Sequence, residues 1–283
     1  MRLVTRNEPG RVNRRWMYTG SQLGTQNGDS GQYRMDKTFE SKVASLRRRA
    51  LDGLSPIYRG KKSLRGIASR DSFESLDILI DDHFRKYSDS NHPCRETLTA
   101  ALEKLDRKPA VILETGSSAW GANSSLLFDS YVNSFGGQFS SVDLRAEPMF
   151  TMRPLCSRRS EFACDDSVSF LKKFANHKTP PDLVYLDSWD VNWTDPLASA
   201  LHGFHEFLVV LPLFRTGALL LVDDTPANCN VMQRVQPMFV DDFDRFTQVY
   251  GFTPGKGALI KNFLAKNAIG KQVAHDYQLL WEM

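Results

Sequence analysis

The chain has 283 residues, of which 41% are hydrophobic and 24% are charged, and this composition is typical of a soluble globular protein rather than a disordered one. That length fits one large domain or two small ones. The longest apolar runs fall far short of the ~20 residues that a bilayer-spanning helix needs, which excludes a helical membrane protein. Since the first residues have no apolar run after their charges, no secretory signal is predicted.

The four cysteines show none of the paired spacings that are typical of a disulfide framework or a zinc site. They are Cys94, Cys156, Cys164 and Cys229. Thiols scattered in this way indicate a reducing compartment, so we expect a cytoplasmic protein.

The small net charge of +3 conceals an uneven distribution of charge along the chain. Residues 1–70 contain sixteen lysines and arginines but only five acids, so the remainder is acidic. Residues 1–35 lack helical or strand periodicity and are predicted to form a disordered basic arm. The basic runs at 47–49 and 59–62 carry the charge to attract nucleic acid or anionic lipid. No aromatic residues alternate with them to stack on bases, so we favour a solvated arm and leave nucleic-acid binding open.

Residues 36–107 are predicted to form an N-terminal helical cover. Asp36 is a candidate cap for a helix that runs to about Ala50. Apolar residues recur at helical spacing within 73–87, which predicts an amphipathic helix, and residues 94–105 predict another.

From residue 108 onward, short apolar runs alternate with helical segments. This alternation indicates an α/β domain, in which an open parallel sheet carries helices on both faces. The predicted strands are 110–114, 136–144, 160–167, 181–187 and 216–224, and the helices between them include 125–135, 167–175 and 196–214.

An acidic residue stands at or just past the end of each predicted strand. Ligands of open parallel sheets bind at the carboxyl ends of the strands, so one edge of this sheet should gather carboxylates. Because unpaired carboxylates repel one another, something cationic or hydrogen-bond donating should compensate. A ligand with ribose and amine groups would suit Glu114, Asp143 and Asp166, and magnesium or manganese would suit Asp187, Asp223 and Asp224.

A glycine-containing loop, Glu114 to Gly121, joins the first strand to the next helix. Glycine allows the backbone to turn with positive φ and to approach a ligand closely. The spacing is not G-x-G-x-x-G, which lowers the expectation of a dinucleotide site, and it lacks the G-K-[ST] of a triphosphate loop. An acid two residues before Gly116 suits a ligand with a positive centre.

Taken in order, these motifs resemble those of the class I S-adenosylmethionine-dependent methyltransferases. Within that class, residues 108–283 are most similar to the metal-dependent sugar O-methyltransferases of the macrocin and aminocoumarin type, and more distantly to catechol O-methyltransferase. The resemblance implies a Rossmann-like, doubly wound, mostly parallel seven-stranded sheet that ends in an antiparallel hairpin. We therefore predict 255–264 and 274–283 as the two hairpin strands. The motifs that carry the resemblance are Glu114-x-Gly116…Gly121, Asp143, Asp166-Ser167, Asp187 and Asp223-Asp224.

The resemblance also implies a role for each motif residue. Asp143 would accept hydrogen bonds from the cofactor ribose, and Asp187 would take the proton from the acceptor hydroxyl besides contacting the cofactor. The methionine part of S-adenosylmethionine would lie beside Glu114, Gly116, Ser117 and Gly121. Its adenine would lie beside Asp166 and Ser167. Mg²⁺ or Mn²⁺ would be bound by Asp187, Asp223 and Asp224.

The sequence departs from the family pattern at two points. The loop has one residue more between Gly116 and Gly121 than the commonest family spacing. Asp165 stands where the family often has glycine, so Asp165 and Asp166 can exchange roles.

Several alternatives stay open at this stage. Asp190 can replace Asp187 as metal ligand or base. Trp189 can line the acceptor site, whereas Trp193 is better interpreted as a packing residue. His202 and His205 read as ordinary helix residues.

The function itself has alternatives as well. The resemblance implies, as the first expectation, S-adenosylmethionine-dependent methyl transfer to a hydroxyl of a small molecule or sugar, assisted by a divalent metal. The alternatives are an NAD-dependent oxidoreductase on a related sheet and a non-catalytic methyltransferase-like binding module. A homo-oligomer also stays open.

Overall fold

Short runs rich in leucine, valine and isoleucine at 110–115, 183–186 and 219–222 are almost entirely buried and form central, parallel strands of a mixed sheet. The structure, a computed structural model, describes residues 72–118, 121–176 and 180–283. The predicted basic arm, the helix expected from Asp36 and Trp120 lie outside these residues. No helix in the described ranges is long and apolar enough to cross a bilayer.

The sheet has seven strands in the order β3-β2-β1-β4-β5-β7-β6. Strands β1 to β5 run parallel, and β7 is antiparallel to both β5 and β6. The predicted doubly wound, mostly parallel seven-stranded sheet is therefore confirmed. The strands are β1 (Ala110–Thr115), β2 (Gly137–Asp143), β3 (Ser160–Cys164), β4 (Leu183–Leu186), β5 (Leu219–Val222), β6 (Lys271–His275) and β7 (Leu279–Glu282).

Helices precede the sheet and connect its strands, as the alternating pattern predicts. In the described residues the helices are α1 (Leu76–Lys86), α2 (Arg95–Lys104), α3 (Ser124–Phe135), α4 (Glu147–Thr151), α5 (Ser167–Asn176), α6 (Leu197–Val210), α7 (Cys229–Val235), α8 (Val240–Tyr250) and α9 (Ala258–Lys266).

The core lies on both faces of the sheet because successive side chains of a strand point to opposite faces. Ile112 packs in one apolar cluster with residues of α1, α2 and α3. The next residue, Leu113, packs in a second cluster that includes Phe207 of α6 and Ile260 of α9. Each fully buried leucine or isoleucine stabilises the fold by about 1.5–3 kcal/mol. The helices on both faces thus fix the sheet and the edge at which its strands end.

The predicted hairpin is wrong in its first strand. Residues 255–264 contain a loop followed by helix α9, in which Ile260 and Leu264 are buried one helical turn apart. The hairpin consists of β6 and β7, so the predicted segment 274–283 contains the end of β6 and all of β7. The short apolar run of α9 fits either period, and packing against α6 decides for the helix.

Candidate functional site

Four strand ends lie side by side along one edge of the sheet. The amide of Gly116 donates to the carbonyl of Val142 (2.8 Å), next to Asp143 at the end of β2. The amide of Asp187 donates to Thr115 (2.8 Å), and the amide of Asp223 donates to Leu186 (3.0 Å). The structure therefore brings the predicted acids and the glycine loop to one edge.

The glycine loop approaches its neighbours too closely for a side chain. Gly116 has φ +80°, and a Cβ there would overlap the carbonyl group of Asp187 and come within 2.9 Å of the Cα of Ser188. Gly121 has φ +76°, and a Cβ there would lie 2.8 Å from Nε2 of His92. Gly116 is thus required by its left-handed backbone and by contact with backbone atoms together, whereas Gly121 is favoured by its left-handed backbone.

Glu114 lies beneath the loop and not on its surface. The side chain is fully buried, and its carboxylate accepts hydrogen bonds from Ser124 Oγ (2.5 Å), Ser125 Oγ and Ser141 Oγ (2.6 Å). Burial raises the pKa of Glu114 to about 7, although the serine hydroxyls oppose this shift. Through these bonds Glu114 joins β1, β2 and the start of α3, and its contact with the cofactor stays a prediction.

Asp143 is held in place at the end of β2. Its carboxylate accepts hydrogen bonds from the Ser117 amide (3.2 Å), from the Arg145 amide (2.7 Å), and from Nε (3.0 Å) and Nη2 (2.9 Å) of Arg145. Burial opposes ionisation, but the hydrogen bonds from Arg145 outweigh it, and the pKa of Asp143 is lowered. The group is thus an ionised acceptor next to the glycine loop. Ser117 Oγ also bonds Ser141 Oγ (2.7 Å), which ties the loop to β2.

The two adjacent acids after β3 have different partners. Asp165 pairs with Lys173 (2.6 Å), whereas Asp166 is exposed and accepts a hydrogen bond from the Ser169 amide (2.8 Å) in the first turn of α5. Of the two, Asp166 is the one not bound to a cation. The buried Ser167 follows directly, and its hydroxyl bonds a residue of α6.

That residue is His202, which the sequence analysis treats as an ordinary helix residue. Its Nε2 lies 3.0 Å from Ser167 Oγ and 3.6 Å from Glu206 Oε1. The nearby Glu206 carboxylate raises the pKa of His202, against the effect of burial. The ring of Trp189, half exposed, lies 5.1 Å from the His202 ring. A polar and aromatic wall therefore stands between the ends of β3 and β4.

Asp190 and Trp193, the other two residues considered near this wall, differ in exposure. Asp190 is exposed at the surface. Trp193 is buried with Met232 and Phe243, as expected for a packing residue.

Asp223 and Asp224, the acids after β5, are hydrogen-bonded by the turn of the C-terminal hairpin. Asp223 accepts from Tyr185 Oη (2.7 Å), from Gln278 Nε2 (3.0 Å) and from the Asp224 amide (2.9 Å). Asp224 accepts from Tyr277 Oη (2.7 Å). Residues 276–278 between β6 and β7 thus reach back to the end of β5.

Lys256 provides a buried cation between two of the predicted metal ligands. Its ammonium group is hydrogen-bonded to Asp187 Oδ1 and lies 3.0 Å from Asp224 Oδ2 and 3.3 Å from the Asp187 carbonyl oxygen. The residue is only 2% exposed. Burial favours neutral Lys256, but the nearby aspartates outweigh it and raise its pKa. Burial raises the pKa of Asp187 and of Asp224, and Lys256 opposes both shifts.

Three close contacts, two with backbone and one with a side chain, fix the segment that carries Lys256. Gly255 has φ +128°, and a Cβ there would overlap the Asp224 carbonyl group. A Cβ at Gly257 would lie 2.8 Å from Thr225 Oγ1, and one at Gly203 of α6 would lie 2.8 Å from the Lys256 carbonyl oxygen. Sequence reasoning missed Lys256, and the only signal was a lysine between two glycines.

Comparison with solved structures finds the same fold in MycE, a methyltransferase of the mycinamycin biosynthetic pathway. The MycE structure with Mg and S-adenosylhomocysteine (SAH) is 17% identical, with a TM-score of 0.51 over 75% of this chain and 55% of the MycE chain. A second MycE structure, with Mg, SAH and mycinamycin VI, is 16% identical, with a TM-score of 0.50 over 91% of this chain and 68% of MycE.

In the first of these comparisons the chain spans about half the length of MycE. No protein-family model matches the sequence, and no curated protein matches it. The chain therefore has the fold of the MycE methyltransferase structures.

Proposed function

We propose that this protein is an S-adenosylmethionine-dependent O-methyltransferase. The observation that carries the proposal is the arrangement at the carboxyl edge, where the glycine loop lies between ionised Asp143 on one side and Asp187 on the other. The shared fold supports it, and the MycE structures with this fold contain SAH.

The cofactor would extend along this edge. Its ribose hydroxyls would donate to Asp143, which accepts strongly because it is ionised. The adenine would lie toward Asp166 and Ser167, against the ring of Trp189. The methionine part would lie on the backbone of the loop at Gly116, Ser117 and Gly121, with the sulfonium toward Asp187.

The proposed reaction is a direct displacement at the methyl carbon. The acceptor oxygen forms a bond to the methyl carbon, the carbon–sulfur bond breaks, and SAH leaves as a neutral thioether. When the two reacting atoms are held about 3 Å apart and in line, this positioning lowers the activation barrier by roughly 7–11 kcal/mol.

Asp187 would take the hydroxyl proton on Oδ2, since no hydrogen bond to that oxygen is found among the described residues, whereas Lys256 holds Oδ1. General-base catalysis of this kind contributes about 10²–10⁴ in rate.

A magnesium ion belongs to the proposed site only if the three predicted acids can bind it. MycE structures contain Mg, and Asp187, Asp223 and Asp224 are the hard oxygen donors that such an ion prefers. However, Lys256 binds two of these acids, and the third accepts from four protein donors, among them Cys94 Sγ. Within the described ranges, no three His, Cys, Asp or Glu residues are arranged to hold a metal. As arranged, the residues do not fit a divalent ion.

For the acceptor, we propose a hydroxyl of a small molecule or sugar. One MycE structure holds mycinamycin VI, a small molecule, which supports this class of acceptor.

Isothermal titration of the full chain with SAH tests the cofactor assignment, with NADH in a parallel titration. We expect SAH to bind and NADH not to bind. NADH binding without SAH binding would favour the oxidoreductase alternative. A second assay follows a labelled methyl group from S-adenosylmethionine into a panel of sugars, catechols and alcohols, and SAH binding without transfer to any of them would favour a binding module.

A further inference from the structure

We propose that Lys256 is the resident cation of the Asp187–Asp224 carboxylate site and takes the position that a divalent metal would need. The assignment of the cation rests on contacts within this chain. Only the consequence for catalysis rests on the proposed methyl transfer.

The N–H donors of Lys256 are matched by oxygens around its ammonium group. A lysine ammonium group has three N–H donors and no acceptor. Around Lys256 Nζ there are three acceptors: Asp187 Oδ1, Asp187 O (3.3 Å) and Asp224 Oδ2 (3.0 Å). The ammonium group is therefore surrounded by three oxygens, two of which accept its hydrogen bonds and the third of which is an ion-pair partner. A metal that bound Asp187 and Asp224 would have to displace a buried ammonium group and leave it without partners, which is costly in an apolar environment.

Lys256 is also enclosed by the surrounding fold. A surface lysine has a flexible stem and swings away at little cost, but this one is 2% exposed. Its backbone is enclosed by the contacts of Gly255, Gly257 and Gly203, and its amide donates to the Asp224 carbonyl (3.1 Å). The segment cannot withdraw the ammonium group without moving away from α6 and from the turn after β5.

Asp223, the remaining predicted ligand, is already hydrogen-bonded to protein groups. Oδ2 accepts from Tyr185, and Oδ1 accepts from Gln278 and from the Asp224 amide. Metal coordination by Asp223 would compete with these bonds and expose the buried donors of Tyr185 and Gln278, each at a cost of about 1–3 kcal/mol. Asp223 is thus already used in joining β4, β5 and the hairpin turn.

Lys256 then acts as a positioning residue. Its ammonium group fixes Asp187 Oδ1 and leaves Oδ2 for the acceptor proton. When Asp187 becomes protonated, Lys256 keeps Asp224 as its counter-ion, so proton transfer does not leave the ammonium group unpaired.

Manganese binding to the full chain, treated with EDTA and then freed of it, tests the assignment. Free Mn²⁺ is counted by electron paramagnetic resonance, and SAH affinity is measured by calorimetry with and without EDTA. We expect no stoichiometric Mn²⁺ binding up to about 1 mM, a range in which weak protein sites for divalent ions fill. We also expect SAH to bind equally in both buffers. One Mn²⁺ per chain, lost in Asp224→Asn, would overturn the proposal.

A charge-removing variant adds a positive result. Lys256→Met keeps much of the apolar stem but removes the ammonium group, so we expect its carboxylates to bind Mn²⁺ at least about tenfold more tightly than the wild type. Lys261→Met is the matched control, because Lys261 is a half-buried lysine near His275 rather than near the acids. An equal gain in both variants would contradict the proposal. If Lys256→Met fails to fold by circular dichroism, the wild-type titration decides.

The two proposals fail separately. Loss of SAH binding in all buffers would remove the methyltransferase assignment and leave the cation assignment standing. Tight Mn²⁺ binding by the wild type, with normal SAH affinity, would remove the cation assignment and leave the methyltransferase assignment standing.

Discussion

Gly116 and Asp187 lie so close together that the Cβ of any other residue at position 116 would overlap the carbonyl group of Asp187. Gly116 follows β1 and Asp187 follows β4, and the two strands are neighbours in the sheet. The contact therefore sets the distance between the glycine loop, on which the cofactor would lie, and the proposed base.

Gly116→Ala tests this contact. The substitution combines a left-handed backbone with a steric overlap, so we expect a loss of about 2–4 kcal/mol in the free energy of unfolding. Since the loop must also move, SAH affinity should fall. Urea denaturation and calorimetric titration measure the two effects.

Gly217→Ala is the matched control for that variant. Gly217 has a similar φ of +87°, but a Cβ there meets no atom within 4 Å. Its cost should be limited to about 1 kcal/mol of backbone strain, and SAH binding should stay unchanged. Equal losses in both variants would show that the contact with Asp187 is irrelevant.

Glu114→Gln tests the buried carboxylate beneath the loop. The pKa of Glu114 is raised from 4.5 to about 7 by burial, so the folded chain binds more protons than the unfolded chain between these values. This group's contribution to stability is complete below pH 4.5 and declines as pH rises toward about 7, by on the order of 3 kcal/mol.

Glutamine does not titrate, so Glu114→Gln should lose less stability than the wild type between about pH 5 and 8. Guanidinium unfolding at the two pH values provides the comparison. Parallel curves for the two proteins would mean that Glu114 is ionised throughout this range.

Asp143→Asn tests the proposed ribose contact. Loss of a charged acceptor weakens a hydrogen bond by about 1.5–3 kcal/mol, so SAH should bind about tenfold or more weakly. Asp165→Asn serves as control because Asp165, after the neighbouring strand β3, pairs with Lys173. The expectation fails if both variants bind SAH as the wild type does, or if Asp165→Asn is the weaker binder.

Asp187→Asn and Asp190→Asn decide between the two candidates for the base. Asp187 lies at the edge beside the loop with one oxygen free of hydrogen bonds from the described residues, whereas Asp190 is exposed. With any acceptor that is methylated, Asp187→Asn should lower kcat by about 100-fold or more, and Asp190→Asn should leave it nearly unchanged. The reverse ranking would assign the proton to Asp190.

The row of acids along the edge could be predicted because, in the sequence, an acid stands at or just past the end of each parallel strand. Asp143, Asp187 and Asp223 follow directly from that pattern, since parallel strands end at a common edge. The hydrogen-bond partners of the acids could not be predicted from the sequence. Glu114 is covered by three serines that lie 10 to 27 residues further along the chain, and no local pattern indicates this contact.

The error at 255–264 has a related origin. The apolar residues of that segment suit a strand or a helix, and only the surface of α6 and the cluster around Phe207 favour the helix. The same error concealed Lys256, because a lysine at the start of a strand has no obvious partner. Its partners, Asp187 and Asp224, are distant in sequence and meet it only after the sheet has formed.

The turn between β6 and β7 has a consequence for synthesis of the protein. Tyr277 and Gln278 hold acids that precede them by 53 and 55 residues. A ribosome that has translated as far as α9 has therefore made every acid of the edge but neither of these donors. The sheet can begin to fold while the nascent chain emerges, whereas the acids after β5 take up their final hydrogen bonds only when the hairpin has left the exit tunnel.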